Sequence, residues 1–161
     1  MFARPPGTVP SMSSDEQIRR DHDDLPVFDF GETACATAPP LVDARVAIVT
    51  TAGLRTDGHG MWPDGQGFVA LDADERDVLV THRSVNFDRT GLESDLNVAY
   101  PADRLAELAE RGVIGSVASQ HLSFMGAQPD HNLTTLRLDT GPAAAERLRA
   151  DGVDVVLLTP V

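Results

Sequence analysis

The sequence contains no lysine, and all thirteen of its basic residues are arginine. That excludes a lysine Schiff base and the phosphate-cradling lysine of a P-loop within this chain. A single cysteine, Cys35, permits no internal disulfide, so the chain suits a reducing compartment. No stretch approaches the roughly 20 apolar residues of a membrane span, and the first 24 residues lack the apolar core of a signal peptide. The expected location is therefore cytoplasmic. Positive charge is also scarce: 13 basic against 25 acidic residues leave a formal net charge of -12. Nucleic acid and anionic membrane surfaces both need a basic face, so neither is expected as a partner.

What is present reads as one ordinary domain of 161 residues, 42% hydrophobic. Residues 1–24 are rich in proline, serine and charge and read as a flexible arm, with a short helix at residues 15–20. Residues 25–161 read as the α/β domain, entered by an extended strap over residues 25–44.

Residues 95–127 carry the clearest local signals. Pro101 suits a first helical turn, and Asp103 and Glu107 place negative charge where the helix dipole favours it. Leu105, Leu108 and Ala109 form an apolar stripe, and Gly112 supplies the stop. Residues 113–118 then read as a buried strand, and residues 119–126 as a polar, aromatic loop at its carboxyl end. Further strands are expected at residues 45–54, 78–83 and 153–161, with a glycine-rich loop over 55–76 and an edge segment at 133–138. A second helix is expected over 143–150, opened by Gly141-Pro142 and closed by Gly152.

This order predicts an α/β fold with a largely parallel, open, Rossmann-like sheet. Such a sheet gathers the carboxyl ends of its strands into one crevice, where ligands bind. Thr50, Thr51, His82, Ser119, His121, Ser123 and Thr159 are the polar residues that this arrangement would collect. The last strand is apolar throughout and ends at Val161 with no helix after it, so the sheet reads as truncated after that strand.

Four stretches then carry a resemblance: VAIVTTAGL at 46–54, His82 to Asp88 with Gly91, residues 95–126, and ADGVDVVLLTPV at 150–161. Together they resemble the selenoprotein B component of the glycine, sarcosine, betaine and D-proline reductases. The resemblance implies an oxidoreductase subunit that cleaves a carbon–nitrogen bond reductively. Its nucleophile would be a selenocysteine or cysteine just beyond Val161, with a C-x-x-C-like pattern after it. A misread UGA codon would end the chain at that point, as would a truncation or a degenerate gene; an in-frame UGA followed by a cysteine-containing helix would support the first. The resemblance also implies partners: a subunit bearing a pyruvoyl group and a thiol or selenol carrier. No cofactor is expected in this chain itself, and the chain alone is expected to be inactive.

Within that frame His121 and His82 are the candidates to protonate a departing amine or orient the substrate. Thr50, Thr51, Ser119, Ser123, Met125, Gly126 and Thr159 are candidates for substrate binding, with Phe124-Met125 as a possible wall. A metal site from His121, Asp130 and His131 lacks ligand spacing, and none is expected. His59 reads as a solvated loop residue and Cys35 as an inert thiol. The alternative function is a non-catalytic binding or scaffold subunit that keeps the crevice without the nucleophile. A nucleotide-binding module has neither G-x-G-x-x-G nor P-loop to support it.

Overall fold

The computed structural model describes residues 13–23, 31, 36–58, 65–84, 88–128 and 133–161. Cys35, His59, Asp130 and His131 lie outside the described residues, as does half of the strap expected over 25–44. The chain divides into two compact units, Met1–Ala36 and Thr37–Val161.

In the first unit, helix α1 spans Ser14–Asp23. Its start is a reciprocal cap: the Glu16 N–H donates to Ser13 Oγ, and the Ser13 N–H donates to the Glu16 carboxylate.

The second unit is built on strand β1, Arg45–Thr50, which β-branched and small residues let bury on both faces. On one side β1 pairs in parallel with β5, Ser116–Val117, and β6, Gln120–Phe124, two segments of one interrupted line. On its other side it pairs in parallel with β7, Val155–Thr159, along its length. Strand β3, Phe68–Asp72, closes the far edge antiparallel to β6. The result is an α/β unit with a mostly parallel central sheet.

Val46, Ile48, Leu71 and His121 share one face with Tyr100 and Leu105, where helix α3, Ala102–Glu110, packs. Leu122 lies on the opposite face, on the side of Gln120, whose side chain accepts from Arg147 on helix α4, Gly141–Ala150. Burying Ile48, Leu71 and Leu122 stabilises the sheet by roughly 1.5–3 kcal/mol each. Gly112 and Gly152 end the two helices at φ of 67° and 70°, which a side chain would strain.

Six expectations need correction. Residues 119–126 are not a loop: 120–124 form a central strand, because both sheet faces are covered and a polar residue can be satisfied inside. The strand expected over 113–118 shrinks to Ser116–Val117. The expected loop over 55–76 contains β3. The strand expected over 78–83 is only Leu79–Val80, β4, and it pairs antiparallel with β2, Leu54–Arg55, outside the main sheet. Residues 133–138 are not an edge segment but enter a π-helical turn, Leu136–Thr140, which runs into α4. The last strand, expected to be buried on both faces, leaves Val156, Leu157 and Leu158 exposed. Among the described residues no helix is long and apolar enough to cross a membrane.

Candidate functional site

The carboxyl end of β1 is where the chain brings several predicted residues together. Beyond Thr51, Gly53 turns the backbone at φ 66°. The Thr81 N–H and hydroxyl both donate to the Gly53 carbonyl, at 3.0 and 2.7 Å, which draws the β2–β4 pair against the strand end. His82 follows directly and is buried, 4% exposed. The Ser84 N–H donates to its Nδ1 at 3.3 Å, so the hydrogen-bond pattern assigns the proton of the neutral ring to Nε2. Arg89 donates to the His82 carbonyl. Burial first, and the Arg89 charge second, hold the His82 pKa below its ordinary value, so the ring is neutral at pH 7.

The other half of the corner is the end of β6. Gly53 N–H donates to the Phe124 carbonyl and Gly126 N–H to the Thr51 carbonyl, both at 2.9 Å. Met125 is buried, and its sulfur accepts from the Arg83 N–H at 3.4 Å. A Cβ at Gly126 would stand 2.8 Å from the Val161 carbonyl oxygen, 2.9 Å from that of Thr51 and 3.2 Å from His82 Nε2. The Thr51 hydroxyl accepts from the Val161 N–H at 2.8 Å and donates to the Val161 carbonyl at 3.2 Å. Thr51, His82, Gly126 and Val161 therefore meet at one point.

Beside that point lies a cavity of about 290 Å³, lined by Thr51, Phe124, Met125, Gly126, Gln128, Leu133 and Leu136. Its lining is almost wholly apolar. A larger groove of about 440 Å³, lined by Arg76, Val78–Val80, Leu92, Glu93 and Leu96, contains none of the predicted site residues among its described lining.

The remaining predicted residues are placed elsewhere or already engaged. The Thr50 hydroxyl is buried, donating to the Thr159 carbonyl and accepting from the Ala52 N–H. The Thr159 hydroxyl donates to the Ala99 carbonyl at 2.8 Å. Ser123 Oγ is buried and accepts from the Leu54 N–H at 2.8 Å. Ser119 stands at the amino end of β6, where its N–H donates to Asp151, itself paired with Arg45. That is the end of the strand away from Met125 and Gly126.

His121 sits in the middle of β6, fully buried. The Ile48 N–H donates to its Nδ1 at 3.1 Å, and Tyr100 meets its ring edge-on with centroids 5.6 Å apart. Burial, and then the Arg76 charge, push its pKa down to about 4. It is a neutral imidazole held in the core, and it does not line the cavity. Burial likewise pushes the Tyr100 hydroxyl up.

Gln128, Leu133, Leu136 and Arg89 were not legible as site residues. Leu133 and Leu136 carried one usable signal, an i, i+3 spacing that fits a helical face. Among the described residues no three histidine, cysteine, aspartate or glutamate side chains gather as a metal site.

The chain is an α/β domain with an apolar cavity at the carboxyl end of a mostly parallel sheet. In sequence the chain is similar to the D-proline reductase subunit gamma of Acetoanaerobium sticklandii, 32% identical over 123 residues, which cover 74% of this chain and 49% of that protein. The chain thus spans about half the length of the curated relative it matches, and the relationship is to a reductase subunit. No protein-family model and no solved structure matches the chain.

Proposed function

We propose that this chain forms the α/β part of a selenoprotein-B-like reductase subunit that, with partner subunits, cleaves a carbon–nitrogen bond of a small amino-acid-like substrate. One coincidence carries the reading: a chain similar to a D-proline reductase subunit places Thr51, Met125 and Gly126 around a cavity of amino-acid size, with His82 against Gly126.

On this reading the attacking selenolate or thiolate lies on a residue beyond Val161, whose carbonyl already stands at Gly126 and Thr51. When present it supplies attack on the substrate carbon. A pyruvoyl group and a thiol or selenol carrier belong to partner subunits. His82, neutral at pH 7, offers an Nε2–H that orients the amine as it departs. His121 acts one layer below, fixing the register of β6 against β1 through Ile48. Gly126 and Met125 supply the backbone and wall of the cleft, with the Thr51 hydroxyl holding Val161 in place.

The test is reductive turnover of D-proline, glycine, sarcosine, betaine, piperidine-2-carboxylate and cyclohexylglycine with a dithiol reductant. The protein is assayed alone and with the products of neighbouring subunit genes. The expected result is turnover only in the assembled enzyme, lowered at least tenfold by His82→Ala. Turnover by the 161-residue chain alone, or no turnover of any amine in the assembly, would overturn the proposal.

A further inference from the structure

We infer that the cavity beside Thr51 selects an amino or imino acid whose hydrocarbon body is larger than a five-membered ring; this rests on the reading of the cleft as the substrate site. Volume is the first ground. About 290 Å³ holds about ten water-sized atoms at about 30 Å³ each. Glycine would fill only about half of that space and leave apolar walls facing water.

The second ground is the chemistry of the lining. Phe124, Met125, Leu133 and Leu136 present hydrocarbon and sulfur, and no charged side chain is among the described lining residues. Of the two polar ones, Thr51 is engaged by the protein and Gln128 is engaged through its amide nitrogen, leaving its buried Oε1 without a partner among the described residues. The Thr51 hydroxyl is shared with the backbone of Val161. The Gln128 amide nitrogen donates to the carbonyls of Gly65 and Met125, at 2.7 and 2.6 Å. Among the described lining residues a carboxylate has no partner of opposite charge, so that group belongs at the mouth, toward Gly126 and His82, and the hydrocarbon body goes in.

The third ground is rigidity. Phe124 is braced by Phe68, ring centroids 5.4 Å apart, and the turn bearing Leu136 is pinned by Gln66, which accepts from the Leu136 N–H and the Thr140 hydroxyl. Walls held in this way discriminate by size, because a smaller ligand leaves a gap that they do not close.

The experiment is titration of the 161-residue chain with glycine, alanine, proline, piperidine-2-carboxylate and cyclohexylglycine, followed by calorimetry and by the Met125 methyl resonance. Affinity is expected to rise about fourfold per added methylene up to the six-membered rings. Leu136→Ser, with its fold checked by circular dichroism, is expected to flatten the series, and Leu136→Met to preserve it. A flat series, or tightest binding by glycine, overturns the inference; so does a rising series that Leu136→Ser leaves unchanged. Size selectivity without reductive turnover in the assembled enzyme would sink the proposed reaction and leave this inference standing. Turnover of glycine with a flat series would do the reverse.

Discussion

Gly126 lies so close to His82 that a single added carbon on it would stand 3.2 Å from the imidazole Nε2 and under 3 Å from two carbonyl oxygens. Only a residue without a side chain lets β1, the β2–β4 pair and the chain end at Val161 meet there. Gly126→Ala is therefore expected to cost about 1–3 kcal/mol, since two of its three neighbours are backbone and cannot swing aside. Urea denaturation checks this; an unchanged midpoint would mean that the corner is looser than described.

His121 predicts a pH dependence. Its pKa in the fold is about 4 against 6.5 for an unhindered ring, so between those values the unfolded chain binds the extra proton. Stability is full above about pH 6.5 and falls as the pH drops toward 4, by on the order of 3 kcal/mol at most. His82 is shifted in the same direction and adds to the slope. Unfolding free energies measured at pH 7, 6, 5 and 4.5 should decline, and His121→Gln should reduce the slope. A level profile over that range would contradict the buried, neutral ring.

The same residue predicts a stability loss. His121→Ala removes a fully buried ring and strands the Ile48 N–H, for an expected cost of about 2–4 kcal/mol. A loop histidine would have shown the opposite, lost activity with stability kept. Thermal and urea unfolding of the variant decide between the two.

Asp151 ties the amino end of the sheet. Its carboxylate accepts from the Ser119 N–H and from Arg45, both at 2.7 Å. Burial pushes its pKa up, but these donors outweigh it and hold the group below the ordinary carboxylate range. Asp151→Ala should cost about 1–2 kcal/mol, with little recovery in Asp151→Asn, whose amide cannot match the charge. Equal stability of all three proteins would remove Asp151 from the account.

Exposed Val156, Leu157 and Leu158 on β7 predict self-association of the 161-residue chain as its concentration rises. Leu158, 67% exposed, can be charged with little effect on folding, within about 0.5 kcal/mol. Leu158→Lys should shift light-scattering mass toward the monomer, whereas an unshifted distribution would show that β7 is not the sticky surface.

Local chemistry was enough for part of this structure. Pro101 and Gly112 bracket α3, Gly141-Pro142 and Gly152 bracket α4, and β1 and β7 stand out as β-branched runs, because caps, turns and burial of a strand act over a few residues. A parallel order predicts that Thr51 and His82 lie together, but His82 arrives through β4, which pairs antiparallel with β2 outside that sheet, and Gly126 is not part of the expected convergence. What the chain in one dimension could not decide was β6: Gln120-His121-Leu122-Ser123 reads as a polar loop until Ile48, 73 residues away, donates to the ring and Leu54 donates to Ser123. Nor could it place β3 and β4, whose pairing partners are distant. Which of the two histidines lies beside Gly126 depends on partners brought in from distant sequence, and only the folded chain supplies them.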